Sequence, residues 1–316
     1  MVKTAIPLVW LITGTSFVFL FHFADRWLSM RSRTGFGREL AIAALQRGDQ
    51  VIATARACSF SKLQDLENRG AKVLALDVTA PLEDLHEITK RALAFYGRVD
   101  VLVNNAGYLL IGALEESSPQ ETFDQFNTNV FGALNICRAF LPYMRKRKTG
   151  TIVFIGSIAG WGSLANAGLY IATKHAIRGL CSTLHEEISP LGLRSVCVDM
   201  GYFRTPFLTE GHCLEAVNRI SDYQEMAENS NKALRDANGK QAGDPARGAQ
   251  VLVDLIHEKD NDGRPSPTSI QLGSDCYSGA KRRCEQALLN LELWRDVSYS
   301  TDFPQVDTSG YLPQLQ

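Results

Sequence analysis

Residues 99–107 read VDVLVNNAG and residues 149–157 read TGTIVFIGS. Each is a short aliphatic, β-branched run that closes on a small or polar residue, and neither alternates apolar with polar positions. A strand apolar on both faces has to be covered on both faces. Between the two lies Gln120–Arg147, a long helical stretch. Strand, helix and strand in that order read as a parallel crossover unit.

The same alternation continues outward in both directions. Toward the N-terminus stand LVWLI (8–12), the helix-periodic GRELAIAALQRG (37–48), QVIATA (50–55), KLQDLENRG (62–70), KVLALDV (72–78) and LEDLHEITKRALAFYG (82–97). Toward the C-terminus, a helix over Leu169–Ile188 leads to LRSVCVDM (193–200). A further helix near Pro245–Glu258 has Asp244 as N-cap and a proline at its first position, and a last strand falls at Ser269–Leu272. The pattern predicts a single-domain α/β protein built on a doubly wound (Rossmann) parallel sheet of about seven strands. Such sheets bind ligands at the carboxyl ends of their strands, where the strand order reverses.

Composition narrows the function. The 316 residues are 45 % hydrophobic and 21 % charged, which excludes a disordered or fibrous chain. Thirty-three basic and 34 acidic residues leave a net charge of −1 with no long block of either sign, so nothing calls for a nucleic-acid partner. Seven cysteines without a C-x-x-C pair, and six histidines without a cluster, predict reduced thiols, no metal and a cytoplasmic protein. The opening MVK runs straight into apolar sequence, without a cleavable signal pattern.

The first strand ends in ITGTS (12–16), and two more glycines open the next helix in TGFGRELA (34–41). A glycine turn feeding a helix N-terminus holds a pyrophosphate through backbone N–H groups and the helix dipole. Here Gly14 and Gly35 stand 21 positions apart; removing residues 17–33 leaves TGTSTGFGREL, with glycines spaced G-x3-G-x-G. The 17 residues admit three readings: a retained intron or faulty gene model, which is favoured; a surface excursion of low closure cost; or a membrane anchor formed by the uncharged run Thr4–Ala24. Against the anchor, the same run carries Thr13, Gly14, Thr15 and Ser16, and its use in a membrane would remove the central strand of the sheet.

The second strand ends at Ala55-Arg56. An acidic residue here suits the ribose 2′-hydroxyl of NAD, whereas a neutral residue followed by arginine suits the 2′-phosphate of NADP. NADP(H) is therefore the expected cofactor, against a plain solvated strand-end charge. Asp77, ending the third strand, is expected near the adenine ring.

Ser157 ends a strand, and Tyr170 and Lys174 follow on one helix at i and i+4, so they share a face. A phenol of pKa near 10 shuttles protons poorly at neutral pH. A nearby ammonium favours the phenolate, and a serine hydroxyl aimed at the same point polarises a substrate oxygen. An ordinary amphipathic helix pair would give Tyr-x3-Lys by itself, but not together with Ser157 and NNAG at adjacent strand ends.

With these pieces together the chain resembles the short-chain dehydrogenase/reductases over nearly its whole length: ITG…GFG, ATAR (53–56), DVT (77–79), NNAG (104–107), FNTNVFG (126–132), Ser157, YIATK (170–174) and MGYFRT (200–205). The resemblance implies that Tyr170 is the catalytic acid/base and that Lys174 holds the nicotinamide ribose and lowers the tyrosine pKa. It gives Ser157 the substrate carbonyl and Asn129 a water in the proton relay. It places Ile12, Gly14, Gly35 and Gly37 at the pyrophosphate, Asn104 and Gly107 beside the adenine ribose, and Phe203 and Thr205 at the carboxamide. The family's usual Pro-Gly is Met200-Gly201 here, which predicts a looser nicotinamide loop and weaker cofactor ordering.

The segment from about residue 202 to 244 corresponds to the family's variable substrate lid, with Phe203, Phe207, Leu208, Tyr108 and Leu110 as candidate pocket walls. The sequence from IQLGSD onward resembles the C-terminal end of fungal-type members, many of which act on ketones or alcohols of secondary metabolism. The resemblance thus implies an NADP(H)-dependent ketone/alcohol oxidoreductase with a small, apolar carbonyl substrate, no membrane association, and a homodimer or homotetramer. A protein of this fold made non-catalytic by its interrupted cofactor loop is the alternative, and the intact Ser157, Tyr170 and Lys174 set argues against it.

Overall fold

The computed structural model describes residues 7–16, 35–209, 212–257 and 266–303. The 17–33 insertion and the tail beyond Phe303 lie outside the described residues, and so does most of the run considered as an anchor.

Seven strands form one all-parallel sheet: β1 (Val9–Ser16), β2 (Gln50–Ala55), β3 (Lys72–Ala75), β4 (Val101–Asn104), β6 (Gly150–Ile155), β7 (Leu193–Met200) and β9 (Ser269–Leu272), in the order β3-β2-β1-β4-β6-β7-β9. The remaining strands, β5 (Leu109–Ile111) and β8 (Cys213–Glu215), pair separately. The expected doubly wound sheet is therefore present, with its reversal of direction between β1 and β4.

Even a fully buried strand sorts its side chains between two layers. Trp10 and Ile12 of β1 face α1 (Phe36–Gln46) and, through Leu252 and Val253, α8 (Pro245–Ile256). Val9 and Leu11 face the opposite layer. That layer holds Leu85 of α3 (Leu82–Tyr96), Phe140 of α5 (Ala133–Arg147) and Ile177 of α6 (Gly168–Ile188). A short helix, α2 (Gln64–Glu67), precedes β3. At α8, Asp244 caps the helix by accepting from the N–H groups of Ala246 and Arg247, with Pro245 at the first helical position.

The long helical stretch expected over Gln120–Arg147 is broken in two. α4 (Pro119–Phe126) opens on a capping box between Ser118 and Glu121, and a π-helical turn over Asn127–Gly132 leads into α5. At Gly132 a Cβ would stand 2.8 Å from the Val78 carbonyl oxygen, so only glycine lets the turn approach β3's exit loop this closely.

The segment over residues 202–244 contains α7 (Gln224–Ala237), as its polar helical pattern predicts, and also β8, which the sequence reading does not anticipate. After β9 come α9 (Ser274–Leu293) and α10 (Arg295–Tyr299). Residues Val9–Ser16 of the uncharged N-terminal run are part of the sheet. No helix among the described residues is long and apolar enough to cross a membrane.

Candidate active site

At the switch between β1 and β4, the strand ends are tied to each other by side chains. Thr13 donates its hydroxyl to the Val103 carbonyl (3.1 Å) and accepts from the N–H groups of Asn105 and Ala106. Asn105 returns two bonds of 3.0 Å from Nδ2 to the carbonyls of Thr13 and Gly14. Gly14 takes φ +63°, and a Cβ there would lie 2.8 Å from the Ala106 Cα, so glycine is required on two counts. The pairing of β1 with β2 slips at this point, between Ile12 and Ser16.

A cavity of about 590 Å³ opens from here along the carboxyl ends of the strands. Its floor contains Gly14, Gly35 and Gly37 together, although 21 residues separate the first two in sequence. Gly35 presents open space, whereas a Cβ on Gly37 would meet the Asn105 side-chain amide at 2.5 Å. The three glycines thus make a bare backbone cradle at the N-terminus of α1.

Ser157, Tyr170 and Lys174 line the middle of the same cavity. Ser157 follows β6 and is buried; its Oγ caps a short 3₁₀ turn (Ile158–Trp161) by accepting from the Ala159 N–H at 3.1 Å. Tyr170 and Lys174 stand one turn apart on α6, with the Lys174 Nζ 5.6 Å from the centre of the phenol ring. That Nζ donates to the Ile155 carbonyl at 2.7 Å.

The electrostatics depart from the sequence expectation. Burial pushes the Tyr170 phenol well above its ordinary range, and only the Ser157 hydroxyl pulls it back down. Desolvation lowers the Lys174 amine to about 8, with Cys197 and Asp199 opposing. In the protein alone the Lys174 bond goes to a backbone carbonyl and not to the phenol, and burial disfavours the charged form of its amine.

Asn129, buried in the π-helical turn, has its side chain committed. Its Oδ1 accepts from the Tyr108 N–H (3.0 Å), and its Nδ2 donates to the Tyr108 carbonyl (2.9 Å) and to the Thr173 hydroxyl (3.2 Å). It lines no cavity described here and links the β5 approach to α6 one residue before Lys174.

A second cavity of about 240 Å³ shares Gly14 and Ala106 with the first and is lined by Arg56 and Asp77, as well as by Asp124 and Asn127, which sequence reasoning missed. Asp77 accepts from the N–H and hydroxyl of Thr79, at 2.9 and 2.7 Å, which closes the turn after β3.

Other expected residues separate. Gly107, Phe203 and Thr205 line the large cavity, with Phe203 edge-on to Phe36 at 6.1 Å. Ile12 is fully buried in the core, and Asn104 turns inward to Cys137 of α5; neither lines either of these two cavities. Of the candidate pocket walls, Phe207 and Leu208 line the cavity, but Tyr108 and Leu110 do not. Period-2 alternation is the reason: Leu109 and Ile111 face Tyr170 and Phe207, while Tyr108 and Leu110 pack on Leu169 and Leu214.

Residues that sequence reasoning missed complete the wall. They include Trp161, Leu164, His212, Leu234 and Gln241. Gln241 is buried, and its Oε1 has no hydrogen-bond partner. Burial lowers His212 to about 4, with Lys62 and Arg56 adding to the effect. No local motif marks these positions: Trp161 and Leu164 follow Ser157 closely, and His212, Leu234 and Gln241 come from the 202–244 segment.

The short chain dehydrogenase family model matches residues 32–212. An oxidoreductase of Botryotinia fuckeliana is 28 % identical over 279 residues, covering 87 % of this chain and 98 % of its own length. A 3-ketodihydrosphingosine reductase of Bacteroides thetaiotaomicron is 36 % identical over 191 residues, covering 60 % and 68 % respectively. The crystal structure of a short-chain dehydrogenase from Streptomyces avermitilis is 34 % identical and superposes with a TM-score of 0.79, covering 96 % of this chain and all of that one. The chain belongs to the short-chain dehydrogenase family of oxidoreductases.

Proposed function

We propose that the protein is an NADP(H)-dependent reductase interconverting a ketone and a secondary alcohol, with Tyr170 as general acid/base. The observation that carries this reading is the convergence of Ser157, Tyr170 and Lys174 on one cavity whose far floor is the bare Gly14/Gly35/Gly37 cradle. The similar Bacteroides protein is named for a ketone reduction, which agrees with the reading.

The chain's residues fit a nicotinamide dinucleotide. The glycine cradle at the start of α1 suits a pyrophosphate. Arg56 and Asp77 line the smaller adjoining cavity, where the adenosine end would lie, and no acidic residue ends β2 to select a free ribose 2′-hydroxyl. When bound, the cofactor supplies or accepts the hydride.

In the direction of reduction, Ser157 hydrogen-bonds the substrate oxygen and Tyr170 delivers a proton to it. A phenol held protonated by burial is the competent acid for this step. Lys174 lies on the same helix face, where its amine would hold the ribose hydroxyls of a bound cofactor, and the positive charge of oxidised nicotinamide would itself favour the phenolate in the direction of oxidation. The apolar walls, Leu109, Phe207, Leu208 and Leu234, exclude water from the reacting centre.

The test is NADPH oxidation dependent on added methyl ketones, in the chain as given and in Tyr170→Phe. We expect turnover that falls by at least about a thousandfold in the variant while NADPH binding persists. Comparable turnover in Tyr170→Phe would overturn the assignment.

A further inference from the structure

The wall of the large cavity contains no aspartate or glutamate. Its charged lining residues are Lys174, on α6, and Arg282 and Arg283, both on α9; His212 also lines it. Much of the same wall is apolar, with Trp161, Leu164, Phe207, Leu208 and Leu234 among its lining residues.

Both arginines sit on α9, and two glycine contacts fix how closely α9 approaches the segment after Ser157. At Gly162 a Cβ would stand 2.9 Å from Arg283 Nε and 3.1 Å from its Nη2. At Gly279 it would stand 2.9 Å from Ile158 Cδ1. The helix therefore lays the Arg283 guanidinium against the Gly162 backbone in the cavity wall, five residues beyond Ser157.

Neither arginine has an acidic partner among the described residues. The local acid is engaged elsewhere, since Lys281 pairs with Glu285 at 3.8 Å. Both guanidinium groups are on exposed residues that line the cavity, so their donors are open to an anion. Guanidinium presents paired donors that match the two oxygens of a carboxylate. Gln286, one turn further on, adds a neutral donor in the same cavity wall.

We propose that Arg282 and Arg283 set the substrate specificity of this site by binding a carboxylate at the far end of an apolar ketone. The substrate class is then a keto acid (or the matching hydroxy acid) whose carbonyl reaches Ser157 and Tyr170 while its carboxylate stays at the arginines. The inference rests on the reductase reading for the fate of the carbonyl, but the binding it describes requires no turnover.

The experiment is a calorimetric titration of the full chain, with NADP⁺ present, using methyl keto acids from levulinate through its longer homologues. Each acid is compared with its methyl ester, which keeps the ketone and chain but loses the charge. We expect one chain length at which the acid binds on the order of tenfold tighter than its ester. That ratio should shrink with added salt, fall to within about twofold of unity in Arg282→Ala/Arg283→Ala, and recover in part in the Arg282→Lys/Arg283→Lys pair.

Equal binding of acid and ester at every length overturns the proposal, and so does a preference that survives in the double alanine variant. The salt dependence is read on the unaltered chain and decides the matter even if a variant folds poorly. A chain that binds the acids selectively yet reduces none of them supports the arginine pair and counts against the reductase reading alone.

Discussion

Lys174 directs its Nζ to the Ile155 carbonyl at 2.7 Å while standing 5.6 Å from the centre of the Tyr170 ring. The two groups share a helix face without a direct bond, and each titrates according to its own burial. This arrangement has a consequence for stability. The Lys174 amine is lowered to about 8 in the folded chain, against 10.5 for an unburied lysine. Between those values the unfolded chain binds the extra proton, so stability rises with pH across the window and is lost as pH falls through 8. The Tyr170 phenol is raised, so it acts in the opposite sense above pH 10. The cofactor-free protein should therefore gain on the order of 1–3 kcal/mol from pH 8 to pH 10 through this lysine. Urea midpoints at a series of pH values should show the slope, and Lys174→Met should flatten it. An unchanged slope in the variant would place the titrating group elsewhere.

Gly35 and Gly37 separate cofactor binding from folding. A Cβ on Gly35 meets nothing within 4 Å and projects into the cradle, whereas one on Gly37 strikes the Asn105 amide that ties β1 to β4. Gly35→Ala should leave the melting temperature within about 2 °C while weakening NADPH binding by roughly tenfold or more. Gly37→Ala should lower both, because about 1–3 kcal/mol attaches to displacing a half-buried amide that makes two hydrogen bonds. Melting curves beside fluorescence titrations give the comparison.

Asn129 is expected to act on the fold before it acts on catalysis. Its side chain satisfies both the N–H and the carbonyl of Tyr108, although the carbonyl also receives Gln125 Nε2 at 2.8 Å. Asn129→Ala strands the N–H and should cost about 1–3 kcal/mol by chemical denaturation. Asn129→Asp keeps the acceptor for that N–H but loses the donor to Thr173, and should fall between the two. A stable alanine variant with slowed turnover would instead favour a direct part in proton transfer.

The residues that were legible in the sequence are those set by local pattern. Strand ends carrying Gly14, Ser157 and the NNAG segment follow from apolar runs and their terminators, and Tyr170 and Lys174 follow from helical spacing. The π-helical break at Asn127–Gly132 left no periodic trace, because one wide turn inside 28 helix-prone residues barely shifts the pattern. The three-residue strands β5 and β8 are too short for alternation to be counted, so Leu110 was expected where Leu109 lies. Arg282, Arg283 and Gln241 are placed by tertiary packing, which no short window of sequence contains.

Under the function proposed above, Arg56 is the residue that would select the phosphorylated cofactor. It stands in the small cavity with Asp77 and Asp124, where an added phosphate would meet one guanidinium and two carboxylates. Arg56→Ala should weaken NADPH binding by roughly 10- to 100-fold and NADH binding by less than about threefold, in line with one charge-assisted contact to the 2′-phosphate. Tighter NADH than NADPH binding in the unaltered chain would reverse the assignment.

Met200, in place of the family's proline, predicts a loose nicotinamide loop, yet the loop is held by other means. Gly201 donates to the Leu272 carbonyl at 2.8 Å, and Tyr202 donates to Asp275 Oδ2 at 2.6 Å. The Asp275 carboxylate occupies the space where a side chain on Gly201 would stand. One carboxylate in the first turn of α9 therefore does what a fixed φ does elsewhere, by bonding the backbone just past the missing proline. Met200→Pro should change NADPH affinity by less than about twofold, while Asp275→Ala should weaken it by roughly fivefold or more and lower the melting temperature. A large gain from the proline would show that the carboxylate does not substitute for it.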